Sequence, residues 1–361
     1  VVFAEGSLVL IGVIVAVSPL VLYLASVVEP NGLEITAGLC VWSTLALLSI
    51  VPDRPPPRAL VVAASMSAAV LALSRALSPA LLACIAFVAC CVLMPWSRLR
   101  SWWSERLVRC CVLAVGGACT VALAWTLGVQ AYLVVPVSVL KYRTAGVGVI
   151  ARTAVDRLSG YMAEMVSIFY PQNVRPPLFV GILLWVLIGL VVLLGVLCGN
   201  TRQRLALLVI MAGAVLIPIV MCVLTVRRDG FIWQGRYELP FAIGLPVVAG
   251  AAIRRRERGH RSADGAPPEP FARTRTAAGV VIVASQLAQL AAFYGVLRRF
   301  TVGNNGPLDI VVHRTSWSPP LAPALTLLGA TLATAVAAIW LVVLLRVAAP
   351  PPDGALGVQA S

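Results

Sequence analysis

The residues best suited to chemistry stand together at Trp233-Gln234-Gly235-Arg236-Tyr237-Glu238-Leu239-Pro240. An arginine fork suits a phosphate or a carboxylate, tryptophan and tyrosine suit a sugar face or headgroup depth, and a carboxylate can exchange a proton. Two further groups have the same character. Glu29, Asn31 and Glu34 open the second apolar run, and Arg298, Arg299, Asn304, Asp309 and Trp317 lie in or beside a late polar loop. On residue type, Arg236, Arg228, Arg298 and Arg299 are the expected phosphate ligands. Trp233, Gln234, Tyr237, Asn304, Asp309 and Trp317 are the expected sugar or acceptor contacts, and Glu34 and Glu238 the expected acid–base pair. Plainer readings stand beside these. Arg236 with Glu238 could be an ion pair locking two helices, Glu34 a carboxylate facing a positive helix end, and Asp309 a turn residue. Arg298 and Arg299 could be interface anchors.

Other chemistries find less support. His313 is one of only two histidines, and His260 lies in a basic loop. No phosphate-cradling glycine loop, zinc motif or hydrolase triad is present. No cofactor is identified, and a divalent metal is possible without any motif that supports it. The nine cysteines lie in apolar runs or at their edges, where a thiol behaves as a small hydrophobe, so neither disulfides nor a zinc site is expected.

The elements that must position these groups are membrane helices. Sixty per cent of the 361 residues are apolar and 12% charged, and the mean hydropathy is +0.95. A soluble chain of this length could not hide so much apolar surface. The net charge of +14 falls mostly between apolar runs, which points to anionic headgroups. No basic stripe carries interleaved stacking aromatics, so nucleic acid is excluded as a partner.

Apolar runs predict an all-α bundle of about ten spans: 7–28, 33–51, 60–77, 81–94, 107–128, 178–198, 205–226, 237–253, 276–297 and 321–345. The third and fourth are short, either two tight spans or a re-entrant hairpin. In domain terms, 1–128 holds five spans and 129–176 an external segment. Residues 177–346 hold five more spans, with a basic loop at 254–275 and a polar loop at 298–320, and 347–361 is a tail. Between Val147 and Phe169 a stripe of Ala151, Val155, Leu158, Met162, Met165 and Phe169 predicts an amphipathic interfacial helix. Trp96, Arg98, Arg100, Trp102 and Trp103 mark a headgroup-level segment.

Lysines and arginines on alternate sides number fifteen against twelve, or fifteen against seven without the 130–175 segment. The positive-inside rule then puts Arg254-Arg255-Arg256 in the cytoplasm and Arg236 outside, in a multi-pass protein of the inner (plasma) membrane. The external polar groups would form a pocket for an anionic, partly lipidic substrate.

Several stretches resemble a large, mostly actinobacterial family of multi-pass membrane proteins, domain of unknown function 2142. They are Val28-Glu29-Pro30-Asn31-Gly32-Leu33-Glu34-Ile35, Tyr161-Met162-Ala163-Glu164-Met165, and Trp233-Gln234-Gly235-Arg236-Tyr237 with Leu239-Pro240. Later come Arg298-Arg299-Phe300-Thr301-Val302-Gly303 and Trp317-Ser318-Pro319-Pro320. The resemblance implies a GT-C-like fold and transfer of a sugar from a polyprenyl-phosphate donor to a cell-envelope glycan or lipid acceptor. In that group an acidic residue in the first external loop acts as base or metal ligand. The chain opens at Val1 without a methionine or leader, so an upstream span is expected, and that acid is placed on no residue here. Two other readings stay open: a flippase or transporter of an anionic envelope lipid, and a non-catalytic envelope-assembly protein.

Overall fold

The computed structural model describes residues 9–50, 55–129, 142–169, 174, 176–260, 269–303, 305–310 and 317–347, with backbone only at 255–260, 269–275 and 346–347. Among these residues the regular structure is helical, apart from an isolated pairing of Phe169 with Val174. The helices are α1 (Val9–Ala16), α2 (Pro19–Ser26), α3 (Pro30–Ile50), α4 (Arg58–Ser74), α5 (Ser78–Phe87, continued by a π-turn Val88–Leu93), α6 (Trp96–Trp103), α7 (Arg106–Val129) and α8 (Val147–Asp156). After them come α9 (Leu158–Val166), α10 (Leu178–Cys198), α11 (Thr201–Asp229), a 3₁₀ turn Gly235–Tyr237, α12 (Leu239–Ala242), α13 (Gly244–His260), α14 (Glu269–Val302) and α15 (Pro323–Val347).

All ten predicted runs are helical, but they are not ten equal crossings. Among the described residues six helices are long and apolar enough to span a membrane, and eight if each of two broken pairs counts as one. Arg58–Ser74 and Leu239–Arg254 are shorter, at the low end of what a bilayer core of about 30 Å requires. The breaks have local causes. Pro19 removes a backbone donor, and the chain leaves the helix at Ser18 just before it. A second break turns the chain by 113° between Ser78–Leu93 and Trp96–Trp103, with Pro95 at the corner.

The predicted single helix 237–253 is likewise divided, because Pro246 cannot donate to Ala242 and the chain leaves the helix at Ile243. The supposed loop 254–275 is a correction in the other direction. Helix α13 runs to His260 and α14 begins at Glu269, since arginine and glutamate extend a helix readily once it has started.

The chain forms two compact units, Leu20–Met165 with Asn200–Val248, and Val1–Pro19 with Val166–Gly199 and Ala249–Ser361. In the first, α3 packs on α4, α4 on α7, and α8 on α11. Helix α11 starts with a reciprocal capping box, Asn200 with Gln203, and ends at Gly230 in a positive-φ conformation (φ 75°). The segment 96–109 that the sequence assigns to headgroup level is divided, its first part forming α6 and its last the start of α7. Arg98 lies 5.9 Å from the Trp102 ring centroid and donates to the Ser49 carbonyl at 3.0 Å.

The buried face of α8 and α9 matches the stripe read from sequence only in part, at Met165. Ile150, Ala154, Tyr161 and Met165 are buried, whereas Val155 is exposed and Ala151 half-buried. Two apolar phases compete on this segment. The break at Arg157 and the packing of Tyr161 against Cys222 of α11 decide between them.

Helix α3 is joined to α12 by close packing. The Trp42 indole is fully buried, donates to the Pro240 carbonyl at 3.2 Å and meets Phe241 edge-on at 6.2 Å. Gly38 and Gly244 let the backbones approach, and a Cβ on Gly244 would collide with the Trp42 ring. Gly244→Ala is therefore expected to lower stability by about 1–3 kcal/mol through overpacking, read as a lower unfolding midpoint in detergent.

In the second unit α1 packs on α10 and α14, and α15 on α14. Gln289 of α14 donates to the Val17 carbonyl at 2.6 Å, so its amide ties α14 to the end of α1.

Candidate functional site

The polar residues of the first unit converge on the 3₁₀ turn. The turn begins where Gly235 passes Tyr161 so closely that a Cβ would collide with the Tyr161 carbonyl. Its amide donates to the Glu164 carboxylate at 2.8 Å. Helix α9 and the turn are thereby clipped together by a backbone position that only glycine fits. Gly235→Ala is expected to break this clip, lowering the unfolding midpoint more than a neighbouring Gln234→Ala does in the same detergent.

Arg236 follows, only 9% exposed. Its guanidinium reaches Glu29 of the α2–α3 turn, with N–O distances of 3.0 and 3.4 Å. Glu29 also accepts from the Asn31 amide, and the Asn31 carbonyl accepts from Arg75. Arg75 lies 3.4 Å from Glu34, whose other oxygen accepts from the Ser78 hydroxyl at 2.6 Å. Arg236, Glu29, Asn31, Arg75, Glu34 and Ser78 thus form one continuous hydrogen-bonded chain. It ties together the start of α3, the α4–α5 connection and the turn.

The Tyr237 ring meets both guanidinium groups, its centroid 4.5 Å from the guanidinium carbon of Arg75 and 5.5 Å from that of Arg236. Trp233 meets the Tyr237 ring edge-on at 5.9 Å and is itself nearly buried. Arg157 stacks on Phe231 at 4.5 Å, on the far side of the loop that leads into the turn. Burial pushes the Glu164 carboxyl above the usual range, against the opposing pull of the Gly235 amide and of Arg236 and Arg157. Burial also raises the Tyr161 hydroxyl, and its contact with Cys222 adds to the shift.

Among the sequence-assigned residues, Trp233, Gln234, Arg236, Tyr237, Glu34 and Glu238 all lie in this unit. Arg236 and Tyr237 share the network with Glu34. Glu238 does not: the ion pair weighed between Arg236 and Glu238 is replaced by Arg236 with Glu29. Two positions apart on a tight turn, the side chains leave on different sides. Glu238 is fully buried, neither carboxyl oxygen has a hydrogen-bond partner, and burial pushes its pKa up to about 9. Glu34 is a tertiary crosslink to Ser78 and Arg75 and not a helix cap, because α3 starts at Pro30, a full turn earlier. Arg228 is exposed at the end of α11 and lies 3.4 Å from its neighbour Asp229.

The remaining residues belong to the second unit. Arg298 donates to the carbonyls of Gly306 and Pro307, so it closes the C-terminal turn of α14 around Gly303, which has φ 86°. Arg299 is half-buried, Asp309 is exposed, and Trp317 meets Phe300 edge-on at 6.2 Å. Asn304 lies outside the described residues, as do His313 and Arg314. Among the described residues no three His, Cys, Asp or Glu side chains are grouped to hold a metal ion.

Sequence reasoning put Glu29 and Glu164 among the external polar groups without a specific role for either, and used Arg75 only as a charge. Arg75 stands at the end of an apolar helix next to a helix-starting Ser-Pro pair, which marks it as a loop residue facing the same side as Glu29 and Glu34. That was the available signal.

No curated protein and no solved structure matches this chain. A family model described as "Predicted membrane protein (DUF2142)" matches residues 4–245, which includes every residue of the Arg236–Glu29–Arg75–Glu34 network. The match stops short of the 298–303 and 317–320 stretches that also carried the resemblance. Over two thirds of its length, the network included, the chain belongs to the DUF2142 family of predicted membrane proteins.

Proposed function

We propose that this membrane protein is a glycosyltransferase-like enzyme that moves a sugar from a polyprenyl-phosphate donor to a cell-envelope acceptor at the external face of the plasma membrane. The observation that supports the reading most is the pairing of two arginines on one tyrosine ring. Arg75 and Arg236 both lie within 5.5 Å of the Tyr237 ring centroid, each beside its own carboxylate. Two guanidinium forks gathered at one ring can meet and neutralise a leaving phosphate.

In this reading the donor phosphate displaces Glu29 from Arg236. Glu29, with 24% of its side chain exposed, is then released to take the acceptor's hydroxyl proton. Glu34 and Glu238 are the earlier acid–base candidates, and both are too buried to meet an acceptor arriving from water. Glu34 instead orients Arg75. Arg228 is a secondary phosphate contact, and Trp233 and Gln234 remain the proposed sugar or acceptor contacts.

The test is donor turnover by the purified protein in nanodiscs, read as polyprenyl phosphate released from polyprenyl-phosphate sugars. Release that is lost in Glu29→Gln and in Arg236→Ala supports the reading. Release unaffected by either variant contradicts it.

A flippase for an anionic envelope lipid is the second reading. It is favoured by the buried Ser285 hydroxyl without a hydrogen-bond partner, one turn from Gln289 within α14. Movement of a labelled lipid between leaflets without donor cleavage would select it.

A further inference from the structure

A carboxyl group that meets neither water nor a hydrogen-bond donor can be tolerated only without its charge. Glu238 is 0% exposed, and both its oxygens lack a partner. Ionised, it would bear the full loss of hydration with nothing in return.

The groups on the elements around it offer no counter-charge. Arg236 in the same turn is held by Glu29, and the Tyr237 ring lies against Arg75 and Arg236. On α3, Glu34 is held by Ser78 and Arg75, and Cys40 is exposed. On α5, Cys84 is the neighbour that interacts electrostatically with Glu238, and a thiol brings no positive charge. On α11, Cys222 faces Tyr161, Arg227 donates to the Ala145 carbonyl, and Arg228 and Asp229 face each other.

We propose that Glu238 is a proton-binding site of the membrane-embedded unit, a carboxylic acid that keeps its proton at neutral pH because the turn and α12 seal it from water. This goes beyond the transferase reading and does not rest on it. The site is conditional on packing. Glu238 shares its turn with Arg236, so any rearrangement that frees Arg236 and admits water to Glu238 discharges the proton. Proton affinity and the position of the turn are then linked in both directions.

Infrared spectroscopy of the full chain in nanodiscs reads the charge state directly. The wild-type spectrum minus that of Glu238→Gln at pH 7 is expected to contain one protonated-carboxyl stretch and no carboxylate bands. On raising the pH to about 10 that stretch is expected to fall about tenfold, in step with the fraction still protonated. Carboxylate bands in the pH 7 difference, or no protonated stretch in it, would overturn the proposal. If the glutamine variant does not fold, Glu238→Asp serves instead. A protonated stretch that moves with the shortened side chain supports the site, and an unmoved spectrum overturns it.

Discussion

Arg236→Ala is expected to lower donor turnover by at least tenfold, which corresponds to about 1.4 kcal/mol or more of lost transition-state stabilisation. It should also lower fold stability. Removing the guanidinium leaves Glu29 with the Asn31 amide alone, in a position three-quarters buried. A stranded charge of this kind costs about 1–3 kcal/mol, less than a fully buried pair because solvent still reaches it.

The partner variants distinguish a site from a structural clamp. Glu29→Gln removes the internal competitor for Arg236, so an anionic ligand should bind at least as tightly while turnover falls. A purely structural pair would lose stability in both single variants with no such split. Arg236→Lys should rescue stability more than turnover, because a point charge replaces the planar fork. Turnover assays and unfolding midpoints on the same four proteins decide the matter.

Glu238→Gln is expected to stabilise the protein at neutral pH, the reverse of what loss of a catalytic or ion-paired carboxylate usually does. The sign follows from proton counting. In the unfolded chain this carboxyl loses its proton near its ordinary value of 4.5, and in the folded protein near 9. Between those values the folded state holds a proton that the unfolded state has released, so stability falls as pH rises. The contribution is fully present below about pH 4.5, declines through the neutral range and is gone above about pH 9. At pH 7 the loss is about 3 kcal/mol. Glutamine fills the same space without a titrating proton and removes this slope. Unfolding midpoints of wild type and Glu238→Gln from pH 5 to 9 should therefore diverge steadily, the variant holding level while wild type drops. Parallel curves would mean that Glu238 does not change its proton affinity on folding.

Much of the architecture was legible because apolar run length is a strong signal. Each of the ten runs became helix, although α11 starts at Thr201 behind the Asn200–Gln203 cap and not at 205 as hydropathy alone suggests. What the runs could not reveal was continuity. Pro246 and the Ser18-Pro19 pair broke helices that hydropathy joined, and the Arg254–His260 stretch continued one that charge seemed to end.

The site was legible in its parts and not in its pairings. Trp233–Tyr237 stood out by type, and Glu29, Asn31 and Glu34 by position. Nothing along the chain says that Arg236 turns toward Glu29 and away from Glu238, two residues on. That choice is made by Gly235 fitting under Tyr161 and by Trp42 gripping Pro240, contacts between residues 74 and 198 positions apart. Arg75 was overlooked because one arginine between two apolar runs looks like an interface anchor until its partners are known.

Native mass spectrometry of polyprenyl phosphate bound to the protein in nanodiscs tests the central claim most directly. Wild type, Arg75→Ala, Arg236→Ala and Arg109→Ala would be titrated side by side; Arg109 is exposed at the start of α7 and belongs to no network described above. The account predicts at least tenfold weaker binding for Arg75→Ala and Arg236→Ala, with Arg109→Ala indistinguishable from wild type. Equal loss in all three variants would mean that the lipid phosphate senses general surface charge, and that the turn around Arg236 is a packing device and not a binding site.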